Sequence, residues 1–161
     1  MTDLGVHSET GRLREVIVHR PDLSLRRLTP DNCHDLLFDD VIWVKRARQE
    51  HDVLVDTLRE RGVKVHLFGE LLGETLEDET ARQWLLERRI GPDMVGYDMG
   101  PQLRDWLGQM PAAELADRLI GGITRAELPF APDGLFGQTL LGQDFVLPPL
   151  PNQLFTRDSS C

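Results

Sequence analysis

Asn152, Phe155 and Asp158 stand at intervals of three residues near the end of the chain and offer an amide, an aromatic face and a carboxylate within one short reach. A planar cation is the ligand that such a trio suits. A carboxylate accepts two parallel hydrogen bonds from a guanidinium, and a ring face covers the same plane. Pro148, Pro149 and Pro151 remove backbone donors and hold the approach extended, so the stretch reads as an edge strand or connector. Strand alternation would put Asn152 and Asp158 on one face and Phe155 on the other. All three line one pocket only if the segment bends or bulges near Phe155. The plain alternative is a proline-rich turn into a buried strand, with Arg157 and Asp158 neutralising each other.

Other reactive side chains are sparse. Cys33 and Cys161 are too few for a disulfide framework, and neither sits in a CxxC or Cys/His pattern of zinc spacing. His7, His19, His34, His51 and His66 are scattered singly, so neither a metal nor another cofactor is expected. Cys161 reads as a buried strand thiol.

With 161 residues, 40% hydrophobic and 28% charged, the chain fits one globular domain that buries roughly 70% of its unfolded surface. A net charge of -9 opposes nonspecific nucleic-acid binding and attachment to an anionic membrane. No apolar run approaches the roughly 18 residues of a membrane span, and Met1-Thr2-Asp3 does not begin a signal peptide. The expected location is cytoplasmic.

The elements that must position the trio follow from periodicity. Leu13 to His19, rich in Val and Ile, predicts a strand that stops before Pro21. Residues 21–40 read as loop with a short turn of helix. Asp40 suits an N-cap, and Val44, Ala47, His51, Leu54, Val55 and Leu58 form one apolar stripe on a helix to about Arg61. That stripe makes His51 a packed core histidine. Gly62 ends the helix, and Val63 to Leu67 alternates as a second strand, parallel to the first across the helical crossover.

From Leu71 to about Leu128 the period is helical. Thr75 and Asp78 have capping-box spacing ahead of Ala81, Trp84, Leu85 and Arg88, and Gly91-Pro92 breaks that helix. Pro101 and Pro111 suit first helical positions for Gln102–Met110 and Ala112–Ile120, and Thr124 with Glu127 repeats the capping pattern. Four or five short helices with Trp84 and Trp106 as core fillers result. Residues 129–142 read as a return loop. The architecture is α/β: residues 1–70 and 144–161 form one small module, and 71–143 insert a helical bundle and the return.

The run Pro151-Asn152-Gln153-Leu154-Phe155-Thr156-Arg157-Asp158 resembles the PNxxFTRD signature of arginine deiminases, in the guanidino-group-modifying (pentein) superfamily. Gly5-Val6-His7-Ser8-Glu9, Leu28-Thr29-Pro30 and the run from Leu36 to Trp43 agree, so the resemblance reaches from Leu4 to Cys161. It implies one module of a five-module α/β propeller, or fan, with the inserted bundle. It implies a homo-oligomeric complete enzyme that hydrolyses L-arginine to L-citrulline and ammonia through a Cys-thiouronium intermediate. Asp158 would bind and orient the guanidinium as a catalytic residue, Phe155 would pack on its plane, and Asn152 and Leu37 would line the substrate.

The family's nucleophilic cysteine, its histidine and its second carboxylate find no matching positions, so residues 1–161 alone are expected to be inactive. A module removed from such a fan is also expected to self-associate through an unpaired strand edge at Gln153–Thr156. Two alternatives stay open: another guanidine-modifying pentein, such as an agmatine deiminase or amidinotransferase, or a noncatalytic partner-binding module.

Overall fold

The structure is a computed structural model and describes residues 5, 8, 10–132 and 134–157. Two elements of the N-terminal part take the form that periodicity expects. Strand β1 (Glu15–Val18) pairs in parallel with β2 (Lys64–Leu67), with Val16 opposite Val65 and Val18 opposite Leu67. Between them lie a single turn, α1 (Leu23–Arg26), a run of turns from Pro30 to Leu37, and the long helix α2 (Val44–Glu60). Gly62 has φ 77°, a left-handed conformation that costs glycine little and lets the chain turn from α2 into β2.

Several details depart from the sequence reading. Asp40 does not cap α2: Trp43 holds that position, and the Asp40 carboxylate accepts instead from the N–H of Val41. Val44 and Val55 on the stripe are buried, but Leu54 is exposed, because only one narrow side of α2 meets the rest of the molecule.

The next stretch is a helical cluster: α3 (Phe68–Thr75), α4 (Glu79–Arg89), α5 (Pro92–Gly108) and α6 (Ala112–Gly121). The capping box expected at Thr75 does not form. Thr75 ends α3 and its hydroxyl donates to the carbonyl of Leu71, while Asp78 alone caps α4 by accepting from the N–H of Ala81. Helix α5 is broken at Gly96, so a helical course resumes before Pro101, which lies inside it instead of heading it. Leu76, Ile90, Met99, Leu103, Leu107 and Leu115 are fully buried and form the main core, each stabilising the fold by about 1.5–3 kcal/mol. Trp106 packs edge-on to Phe130 against this core. Trp84 does not fill it: it is exposed, beneath the guanidinium of Arg88. Arg82 ties the helix ends together, donating to the carbonyls of Leu76, Gly108 and Met110.

The region expected as a plain return contains more structure. A short strand, β3 (Ile123–Thr124), pairs antiparallel with β4 (Phe145–Leu147), and α7 (Gly134–Thr139) lies between them. Val146 and Leu147 are buried in the helical core. The capping box at Thr124 and Glu127 does form, around a 3-10 turn at Arg125–Glu127. Burial alone would raise the Glu127 carboxyl, but the N–H and hydroxyl of Thr124 and the Arg27 guanidinium bring it down to about 2. Arg27 also donates to the carbonyl of Gly122, and Arg118 is a further partner of Glu127.

That cluster joins the N-terminal segment to the helices. A Cβ on Gly121 would come within 2.5 Å of Leu23, so the bare backbone of α6 is what admits α1. Mixed helix and small sheets give an α/β chain, with the site-bearing segments held against β1 and the 25–44 region.

Candidate functional site

The stretch after Pro149 is neither an edge strand nor a buried strand. Pro151 starts a 3-10 turn, Pro151–Leu154, and Thr156 and Arg157 continue as a turn. Its fixed φ suits a first helical position, and its missing N–H costs nothing there. The approach is pinned by the N–H of Leu150, which donates to the carbonyl of Ile120 at the end of α6. Without a strand at Gln153–Thr156, the edge expected to drive self-association is absent from the described residues.

The 3-10 turn also removes the alternation problem. With three residues per turn, side chains three apart eclipse each other. Asn152 in the turn and Phe155 at its C-cap both meet residues 36–38, where a strand would have separated them.

A second segment, 33–38, meets this turn. The Asn152 amide donates to the carbonyl of Leu36 at 2.9 Å, and the rings of Phe38 and Phe155 lie 6.4 Å apart, tilted by 30°. Leu37 stands between these two contacts. It has φ 63°, a left-handed conformation that a leucine adopts only under constraint, and it is 81% exposed. The constraint is visible in the turns beneath it: the N–H of Leu37 donates to the carbonyl of His34, and that of Phe38 to the carbonyl of Cys33. Cys33, Leu25, Leu28 and Val44 form a small core under the loop, with Leu36, Phe38, Ile42 and Leu154 packed against it. The Thr156 hydroxyl donates to the carbonyl of Ile17, tying the end of the segment to β1.

The loop that carries Leu37 and the turn that carries Asn152 and Phe155 are therefore brought together from distant parts of the chain through Leu36 and Phe38, and Phe155 presents half of its surface to solvent. Asp158 and Cys161 lie outside the described residues, and with Asp158 goes its pairing with Arg157. Sequence reasoning did not identify Phe38 as Phe155's neighbour, the Leu36 carbonyl as Asn152's acceptor, or Thr156 as the tie to β1. Only the inclusion of Phe38 in the Leu36–Trp43 run pointed toward the first. What the described arrangement can do chemically is bind: it offers a half-exposed ring and an exposed aliphatic residue beside a carboxamide whose N–H is engaged.

Among the described residues, no group of three or more His, Cys, Asp or Glu could hold a metal ion. No described helix is long and apolar enough to cross a membrane. A family model described as arginine deiminase matches residues 34–161. Both the loop carrying Leu37 and the segment from Asn152 to Asp158 fall inside that match, whereas β1 and the Leu28-Thr29-Pro30 run precede it.

Proposed function

This chain belongs to the arginine deiminase family, and on that premise we propose that it supplies the substrate-holding side of an enzyme that hydrolyses L-arginine to L-citrulline and ammonia. The observation that supports this reading is the contact, inside the matched region, of Asn152 and Phe155 with the loop that carries Leu37. Asp158 takes the guanidinium by paired charge-assisted hydrogen bonds, and Phe155 covers its plane. Leu37 and Asn152 border the aliphatic part of the substrate.

The reaction needs three further groups. A thiolate adds to the guanidinium carbon, ammonia leaves to give a thiouronium, and water attacks that carbon to release citrulline and the thiol. A histidine moves the protons and a second carboxylate holds the remaining nitrogens. No residue of 1–161 matches those roles, so this chain performs binding and not turnover. In this proposal the β1–α2–β2 unit with residues 144–161 is one of five modules in a fan, residues 71–143 are its insertion, and the complete enzyme is a cytoplasmic homo-oligomer.

Ammonia release from L-arginine and from agmatine, with citrulline as the co-product of the first only, separates the readings. The complete enzyme is expected to convert arginine and leave agmatine untouched, while residues 1–161 give no product above a protein-free control. Turnover of agmatine by the complete enzyme, or of arginine by residues 1–161 alone, would refute the assignment.

A further inference from the structure

A cleft of about 360 Å³ runs along one face of α2 and is lined by Arg20, Arg26, Val44, Lys45, Arg48, Gln49 and Asp52. None of these belongs to the Leu37–Asn152–Phe155 set, and the size falls within the roughly 300–1,000 Å³ usual for small-molecule sites. Four cationic side chains share this one cleft in a chain whose net charge is -9.

Two carboxylates arrange three of the four. Asp52 holds Arg20 by its Nε and Nη2 at 2.7 and 2.6 Å. Asp22 holds Arg26 and also Arg48, each through Nη2. The Nη1 groups of all three arginines take no part in these pairs, and Lys45 has no carboxylate partner among the described residues. Four cations against two carboxylates leave the cleft positive.

Its surroundings do not cancel that excess. Helix α2 starts at this end without a side-chain cap and without an acidic residue in its first turn, so its positive pole adds to Lys45. Asp117 on α6 feels both Asp22 and Arg26, and its carboxyl is raised, first by burial and then by Asp22; counted as a third carboxylate, it still leaves the four cations in excess. His19 and His51 lie close behind Arg20 and Asp52 and are held toward their neutral forms, chiefly by burial.

We propose that this cleft binds a phosphate dianion, free or carried by a small phosphomonoester. Three guanidiniums and an ammonium present more donors than one carboxylate could accept, whereas a phosphate offers several charged oxygens. The existing pairs are partly exposed, so they hold the guanidiniums in place while costing little to rearrange around an incoming anion. Gln49 supplies a further amide.

The test is a titration of the 15N-labelled protein with sodium phosphate and with adenosine monophosphate at neutral pH, ionic strength being fixed with sodium chloride. Saturable shifts in the amides of Val44, Lys45, Arg48 and Gln49 are expected, and Lys45→Gln is expected to weaken the midpoint roughly tenfold. Lys45 is exposed and has no carboxylate partner among the described residues, so this variant keeps its fold, as circular dichroism will verify. Arg48→Gln, which leaves Asp22 its Arg26 partner, provides an independent second variant. Tighter binding of the monophosphate means that the carrier contributes, and equal binding means that the phosphate alone is recognised; both support the site. Shifts that follow ionic strength without saturating, or midpoints unchanged in both variants, would overturn it.

Discussion

The side-chain amide of Asn152 donates to the backbone carbonyl of Leu36 at 2.9 Å, joining the end of the described chain to a loop over a hundred residues earlier. That bond makes Asn152 a positioning residue as well as a candidate substrate neighbour. Asn152→Ala should remove it at a cost of about 1 kcal/mol. Amide hydrogen exchange at Leu36, Leu37 and Phe38 should accelerate, while exchange in α5 and α6 stays as it was. Unchanged exchange at those three positions would mean that the loop holds its shape without the clamp.

Leu37 stores strain beside that clamp. A leucine in the left-handed region costs roughly 1–2 kcal/mol, and its side chain is 81% exposed, so it recovers little by packing. Leu37→Gly should therefore stabilise the chain by up to about 1 kcal/mol in urea unfolding. In the complete enzyme the same change should raise KM for arginine, if the exposed side chain borders the substrate as proposed. A gain in stability with no change in KM would leave Leu37 without a role in binding.

Glu127 governs acid stability at low pH. Its carboxyl is depressed from 4.5 to about 2 in the folded state, so its stabilisation is complete above pH 4.5 and is lost as pH falls from there toward about 2. Glu127→Gln should cost about 2 kcal/mol at neutral pH, through its charged bonds to Arg27 and Arg118. The variant should also lose the part of the acid transition that lies in this window. Thermal melts across the pH range will read both effects.

A separate, milder loss should begin higher. His19 and His51 are lowered from 6.5, mainly by burial, so the unfolded chain binds their protons more readily and stability declines as pH falls through 6.5. Both ring nitrogens of His51 are buried without a hydrogen-bond partner among the described residues, and the nearest carboxylate oxygen, on Asp52, is 3.8 Å away. His51→Leu should therefore be close to neutral or slightly stabilising above pH 6.5. It should also flatten the decline below that point. A steep decline retained in the variant would place the titration elsewhere.

The sequence revealed elements whose cause is local. Alternation marked β1 and β2, spacing marked α2, and Thr124 with Glu127 announced a capping box that forms. It misled where a local pattern had a competitor. Asp40 and Thr75 have capping side chains, but each forms a different local hydrogen bond, and Asp78 takes the cap that Thr75 suggested. Trp84 has the composition of a core residue and yet faces outward, because the opposite side of α4, bearing Leu86, meets the core. The candidate site was legible as a set of residue types but not as a shape. Its shape depends on a 3-10 turn set by Pro151 and on contacts to Leu36, Phe38 and Ile17. Those partners are far away in sequence, and no short-range period reports them.

The central claim is that the 151–158 segment and the Leu37 loop hold a guanidinium through Asp158. The most direct measurement is kcat/KM for L-arginine in the complete enzyme carrying Asp158→Asn, which keeps the size of the side chain and removes its charge. Losing a charge-assisted pair worth on the order of 2–3 kcal/mol should lower kcat/KM by about a hundredfold, with the melting temperature little changed. A value close to that of the unsubstituted enzyme would contradict the account and make Asp158 a structural carboxylate.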